Sequence, residues 1–470
     1  MARSGRTAAA VLVAAVLAGC TGGPGPVSGR SETGGGGIGD PYFPDAGNAG
    51  YQVDHYHLQI SYDPASKELT GFATITATAT DDLTRFSLDL SGLTVRSVTV
   101  EGSEAVAERR DEKLVVTPAA IVEADTQFLV AVSYDGIPEP ISSPALGSNG
   151  FQHTDDGAFA IGQPQSASTW FPVNDHPLDK ATYTVEVTAP AHLVALSNGV
   201  PAGQTTSDGT TTWRWEEHSP MASYLTTVVI GDYRVNADSH DGKPLVTAVH
   251  ADLPTAVDDQ LQRTGEIADV LAEWFGPYPL ESYGGIALSD RSVGFALETQ
   301  SRPVYGPGFF SGNAEWVIVH ELAHQWFGNS VSVRYWNEMW LNEGFATYAE
   351  WLWSEEMGDD TAQETFDLYW TGPGAEDGFW YPPTGDPGRA DLFSPAVYER
   401  GAMVLHALRI TVGDEAFFQI LRTWAEEKRD GNATTAELLS LSERISGRSL
   451  GDLFDAWLYA TERPRYPGNP

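Results

Sequence analysis

The pattern of apolar and polar positions divides the chain in two. From about residue 51 to 235 it repeatedly has period two: Leu58, Ile60 and Tyr62 alternate with polar neighbours, as do Phe86, Leu88 and Leu90, and later Tyr183, Val185 and Val187. Between residues 72 and 80, Ala73, Ile75, Ala77 and Ala79 share one face and Thr74, Thr76, Thr78 and Thr80 the other. Such alternation marks half-buried strands, so this half is expected to be an all-β domain. After about Val246 the period becomes helical. Leu261, Ala268, Leu271 and Phe275 fall on one stripe that stops at Gly276-Pro277, and further stripes follow towards the C-terminus. One of these opens with a Thr434/Glu437 capping-box pattern and closes at Gly447. With short strand candidates at 286–288 and 331–333, the second half reads as α+β. No repeat at solenoid periods is visible in the sequence.

The first fifty residues have neither period. Arg3 and Arg6 precede an apolar run over residues 8–17, and Leu17-Ala18-Gly19-Cys20 follows at once. That run is too short to span a bilayer comfortably, so residues 1–19 read as a cleaved export signal. The tetrad resembles the bacterial lipoprotein box. The resemblance implies a lipid on Cys20 and anchoring at the outer face of a bacterial cell membrane by acyl burial. An ordinary signal peptide with an incidental cysteine is the other reading. Residues 20–50, rich in Gly, Pro and Ser, are expected to be a flexible tether. The β domain is then expected over 51–245 and the second domain over 246–470.

Composition narrows the function classes. A chain of 470 residues with 41% hydrophobic and 11% aromatic side chains can build large cores. A formal charge of -37 repels nucleic acid, so no nucleic-acid partner is expected. The single cysteine cannot form an intrachain disulfide, so the fold needs none.

Chemistry concentrates at His320-Glu321-Leu322-Ala323-His324, in an apolar, helix-compatible segment over 314–327 with Asn313 as a cap and Gly328 as a stop. Residues four apart share a helix face, so both imidazoles can reach one Zn²⁺ while Glu321 emerges beside them towards a water. Catalytic zinc usually takes three protein ligands. Glu343 is the candidate third: 18 residues separate it from His324, and it sits in Trp340-Leu341-Asn342-Glu343-Gly344-Phe345-Ala346, which can form an antiparallel second helix. Glu350 would share that helix face. It can accept a hydrogen bond from a ligand histidine, or be a solvated helix carboxylate.

The histidine motif with its downstream Trp-Leu-Asn-Glu-Gly-Phe-Ala resembles the gluzincin aminopeptidases of the aminopeptidase N and leukotriene A hydrolase type. Further landmarks are similar: Gln163-Pro164, Phe171-Pro172, Asp175, Ala181 and Ala195-Leu196-Ser197-Asn198-Gly199 in the β half, and Phe275-Gly276-Pro277-Tyr278-Pro279 at the entry to the second. The resemblance implies an N-terminal all-β domain followed by an α+β thermolysin-like zinc metallopeptidase domain. It also implies one zinc ion per chain and peptides with a free N-terminus as substrates. In the family a Gly-x-Met-Glu-Asn segment binds the substrate α-amine. The corresponding stretch here is Phe295-Ala296-Leu297-Glu298-Thr299, which keeps the carboxylate at Glu298 and departs around it. Gln163 matches a polar residue that shares the amine, and Tyr398 matches the tyrosine that hydrogen-bonds the oxyanion. The expected activity is that of a zinc aminopeptidase with Glu321 as general base. An endopeptidase, a leukotriene-type hydrolase and a non-catalytic peptide-binding lipoprotein are the alternatives.

Overall fold

The computed structural model describes residues 36–143 and 147–468, so the expected export signal and Cys20 lie outside the described residues. An eight-stranded sheet runs in the order Val200–Ser207, Thr210–Ala222, Lys180–Pro190, Tyr51–Asp63, Glu68–Ala79, Gln127–Gly136, Thr94–Val100, Ser103–Glu104. Tyr51–Asp63 lies parallel to Lys180–Pro190 and antiparallel to Glu68–Ala79. The period-two residues decide which face is covered: Leu58, Ile60, Tyr62, Ala73, Ile75 and Ala77 are buried, while Thr74, Thr76 and Thr78 are only half-buried. Two smaller sheets complete this half. One has five strands, ordered Val194–Ser197, Val228–Gly231, Ala158–Ile161, Gly147–His153 and Ile141–Ser143; the other has three, Phe86–Asp89, Lys113–Thr117 and Val106–Arg110.

Two expectations change here, for one reason. Phe86–Asp89 is buried on both faces, not on one. Residues 36–50, expected within the flexible tether, pack against the folded body. Asn48 Nδ2 donates to Asp89 Oδ2 at 2.7 Å, and Lys113 Nζ reaches Asp89 Oδ1 at 2.5 Å and Gly47 O at 2.8 Å. Asp40 Oδ2 accepts from Trp336 N at 2.8 Å and lies 3.1 Å from His176 Nε2, while Tyr42 OH bonds Asp386. The buried side chains of Asp40, Asn48 and Asp89 thus have bonded partners, which offsets part of the ordering cost that composition alone suggested this segment could not meet.

The second half has a five-stranded sheet, ordered Tyr233–His240, Lys243–His250, Tyr283–Ala287, Val304–Tyr305, Ala296–Leu297. The boundary expected at 245/246 falls inside the second of these strands, so this sheet begins earlier, at Tyr233. The apolar stripe from Leu261 to Phe275 is shared by two helices, α1 (Ala256–Gln262) and α2 (Thr264–Phe275). Thr264 Oγ1 donates back to Leu261 O at 2.7 Å at the joint, a bond that competes with the regular helix ladder. There follow α3 (Glu315–Ala323), α4 (Trp340–Met357), α5 (Ala362–Thr371), α6 (Pro395–Val412), α7 (Asp414–Glu427) and α8 (Thr435–Ser446). The capping box at Thr434 and Glu437 is formed, and Gly447 closes α8 at φ 67°. Among the described residues no helix is long and apolar enough to cross a membrane.

Helices α4 and α6 cross where Gly344 meets Gly401. A Cβ built on Gly401 would come 2.7 Å from Gly344 Cα, closer than any real side chain tolerates. That backbone contact brings Glu343, one residue before Gly344, and Tyr398, three residues before Gly401, to the same cleft.

Candidate metal centre and substrate cleft

Helix α3 carries the histidine motif. The residue at its N-cap is Ala314 and not Asn313, which stands one place earlier and accepts from Glu315 N at 3.1 Å through its Oδ1. The regular helix ends at Ala323, earlier than the helix-compatible segment, and turns continue to Gly328 at φ 131°, a region open to glycine. The four-residue spacing sets the His320 and His324 rings side by side with centroids 4.8 Å apart. Glu343, in the first turn of α4, meets both. Its Oε2 lies 3.3 Å from His320 Nε2 and 3.3 Å from His324 Nε2.

Bonds at the far nitrogens aim these rings. His320 Nδ1 is 2.7 Å from Glu350 Oε1, and His324 Nδ1 is 3.0 Å from Phe327 O. A carbonyl only accepts, so His324 Nδ1 carries the proton there, and in a neutral ring Nε2 then presents a lone pair to Glu343. The same holds for His320 against the Glu350 carboxylate. One ligand atom from each of His320, His324 and Glu343 therefore converges within 4.8 Å, and with both rings neutral all three turn electron pairs towards one point. Such an array demands positive charge. Burial disfavours the protonated form of His324, yet the Glu343 charge holds its pKa up at about 9, and the two imidazoles hold Glu343 down at about 2 against its own burial. Two nitrogens and one oxygen around a point are a donor set that suits zinc.

Glu321 lies beside the cluster, 5% exposed, with Oε2 lacking a hydrogen-bond partner among the described residues. Burial lifts its carboxyl to about 8, a rise that His320 and His324 partly offset. Tyr398 stacks on His320 with ring centroids 6.0 Å apart and planes 14° from parallel. Burial first, and then the charges of Glu343, Glu298 and Glu321, raise its phenol well above the ordinary value, so it is kept as a hydrogen-bond donor.

Glu298 follows the edge strand Ala296–Leu297 and is 3% exposed. Gln163 Nε2 donates to its Oε1 at 3.2 Å, and Tyr224 OH donates to the same oxygen at 3.1 Å. Its backbone carbonyl accepts from Asn329 Nδ2 at 2.7 Å and Gln325 Nε2 at 3.3 Å, which ties it to the turn that follows α3. Burial raises the Glu298 carboxyl above its ordinary value, while the His324 charge opposes that rise.

All eight residues singled out in the folded part, Gln163, Glu298, His320, Glu321, His324, Glu343, Glu350 and Tyr398, line one cavity of about 350 Å³. Its remaining wall is largely apolar, with Phe309, Trp316, Trp351 and Phe393. Glu350 touches His320 and does not stand free in solvent. Sequence reasoning missed Tyr224, Gln325 and Asn329. Gln325 and Asn329 could have been suspected from their nearness to the motif, but nothing local distinguishes Tyr224.

Residues 52–225 match the Peptidase M1 N-terminal domain, and residues 261–377 match the Peptidase family M1 domain. Among curated proteins, Aminopeptidase M1 of Arabidopsis thaliana is 25% identical over 88% of this chain and 50% of its own length. Aminopeptidase N of Canis lupus familiaris is 33% identical over 57% of this chain and 30% of its own length. The chain thus spans at most about half of these relatives. Among solved structures, a mutant M1 zinc metallopeptidase from Deinococcus radiodurans bound to a Tyr-Ser-Ala substrate superposes with a TM-score of 0.84 at 31% identity, covering 92% of this chain and 99% of that one.

Proposed function

The chain belongs to the M1 family of zinc metallopeptidases, and from that premise we propose that it is a zinc-dependent aminopeptidase, which removes N-terminal residues from peptides. One observation carries the exopeptidase part. A buried carboxylate, Glu298, shares the cavity of the His320, His324 and Glu343 cluster, and its oxygen lies within 4.8 Å of ligand atoms of Glu321 and His324. A fixed anion at that distance pairs with an α-ammonium and measures one residue from the chain end to the scissile bond.

His320, His324 and Glu343 would hold one zinc ion, with Glu350 and Phe327 O orienting the imidazoles. Zinc bound there supplies Lewis acidity, making water nucleophilic near neutral pH and polarising a peptide carbonyl. Glu321 takes the proton of the attacking water at its carboxylate and returns it to the leaving amine. Tyr398 donates to the oxygen on which negative charge develops, in a site where burial strengthens that bond. Glu298 and Gln163 hold the ammonium end. The peptide-bound Deinococcus relative supports peptides as the substrate class.

The test compares a peptide with its N-acetylated form, each with and without chelator. Cleavage of the free peptide alone, abolished by chelator and restored by zinc, is the expected result. Equal cleavage of both peptides would reject the exopeptidase reading in favour of an endopeptidase, and chelator-resistant cleavage would reject the metal chemistry. A lipid anchor on Cys20 at the outer face of the cell membrane belongs to the same proposal, supported by the Leu17-Ala18-Gly19-Cys20 tetrad. Expression with labelled palmitate should label the wild-type chain and leave Cys20→Ser unlabelled.

A further inference from the structure

Tyr224 sits in the short turn Ser223–Leu225 that ends the strand Thr210–Ala222, in the β half of the molecule. The turn is held from several sides. Ser223 Oγ donates to Asp175 Oδ1 at 2.7 Å, and Leu225 O accepts from Asn198 Nδ2 at 2.9 Å and from Gln300 N at 3.3 Å. The Tyr224 ring packs edge-on against Trp336 with centroids 5.3 Å apart. Ring and backbone are thus fixed, and the phenol is fully buried. It donates to Glu298 Oε1, 74 residues away, and the Gln163 side chain lies against the same hydroxyl. Gln163 Nε2, also from the β half, converges on that same oxygen, so both donors hold Oε1 and Oε2 lies outside the pair.

We propose that Tyr224 is a positioning residue for substrate recognition: with Gln163 it clamps one oxygen of Glu298, so that the other faces the α-ammonium of the peptide. This rests on the aminopeptidase reading above. A carboxylate buried this deeply is costly unless donors compensate it, and donors fixed in advance do so without reorganising when substrate arrives. With one donor gone, Glu298 is free to turn towards the nearby imidazole of His324. The loss should fall on ligands with a free amine and spare those without one. A tyrosine that merely fills the core would show no such selectivity.

The test uses the full, zinc-loaded chain and Tyr224→Phe, which keeps the ring packing on Trp336. The probes are Tyr-Ser-Ala and its N-acetyl derivative for kinetics and inhibition, and L-tryptophan against N-acetyl-L-tryptophan for calorimetric binding. KM for the free tripeptide should rise roughly tenfold with kcat within about twofold, the effect of one charged hydrogen bond. L-tryptophan should bind more weakly by a similar factor, the acetylated ligands should be unaffected, and the loss should vanish in a Glu298→Gln background. Equal weakening of both ligand classes, no weakening, or a loss that persists in Glu298→Gln would overturn the inference. If Tyr224→Phe does not fold, 3-fluorotyrosine at position 224, a stronger donor of nearly equal size, should lower KM for the free tripeptide only; an unchanged KM would overturn it equally. A wild-type enzyme without preference for free amines would remove the aminopeptidase reading and this inference together. A wild-type preference that survives Tyr224→Phe would remove this inference alone.

Discussion

At the scale of single residues, the proposed mechanism assigns some side chains to offer electron pairs to a cation and others to move protons. Glu321 lies next to His320 in the chain but makes neither of the contacts that aim the rings; one of its oxygens is buried and has no partner among the described residues. Glu321→Ala should therefore retain zinc, measured by elemental analysis, while kcat falls by about 10² to 10⁴, the usual worth of a positioned general base. Unchanged turnover would reject its role. Glu350 presents the opposite case, because it meets His320 at the ring's far nitrogen, 2.7 Å away, and not at the nitrogen that faces Glu343. Glu350→Gln should weaken zinc about 10- to 100-fold in a chelator competition, with smaller effects on kcat at saturating zinc. The histidines and Glu321 were legible because their geometry is local, one helical turn. Glu298 and Tyr398 were identified through family resemblance, because their roles depend on contacts the chain makes only when folded; Gln163 and Glu298 are 135 residues apart. Tyr224 carried no signal at all, since a buried tyrosine looks like core until its acceptor is known.

At the scale of elements, what assembles the cleft is the crossing of α4 and α6. The two glycines let the helix backbones touch, and that contact sets how far Tyr398 stands from the histidines. A methyl group at Gly401 would meet the Gly344 Cα at 2.7 Å, and backbone cannot move aside as a side-chain tip can. Gly401→Ala should cost about 2 kcal/mol of stability in urea unfolding, the usual penalty of an overpacked core. It should also lower kcat by displacing Tyr398, so wild-type stability and activity together would show the crossing to be more tolerant than its geometry. Pattern reasoning found these helices from their apolar stripes but not their breaks and covers. The joint between α1 and α2 depends on one threonine's bond to Leu261 O, and the outer face of Phe86–Asp89 is covered by residues 36–50. Periodicity records which face of an element is apolar; it does not record what a distant, glycine-rich segment will lay over the other face.

At the scale of the whole molecule, the two halves are sewn together along the loop that follows Glu298. Arg302, fully buried, donates to Ser197 O, to Gly199 O at 2.8 Å and to Val246 O at 3.3 Å, and stacks over Trp215 at 4.6 Å. Asn198 Nδ2 reaches Gln300 O at 2.8 Å, and Gly199 N donates to Ser301 Oγ at 2.8 Å. The stretch Ala195-Leu196-Ser197-Asn198-Gly199, a family landmark in the sequence, thus has a physical use: its backbone and the Asn198 side chain anchor the loop that follows Glu298. Glu217 closes the seam, accepting from Ser301 Oγ at 2.7 Å and Ser219 N at 3.2 Å. Burial raises its carboxyl from 4.5 to about 7, with the Ser301 bond opposing the rise. Between those two values the folded chain keeps a proton that the unfolded chain has lost, so stability from this group is complete below about pH 4.5 and is lost as pH rises through about 7. Glu217→Gln stays neutral throughout and can donate its amide to Ser301 Oγ. Against wild type it should unfold at the same urea concentration near pH 4.5 and be more stable by up to about 3 kcal/mol above pH 7. A difference that does not change between those two pH values would mean that this seam carries its carboxylate ionised, and that Arg302 reaches it more strongly than burial opposes.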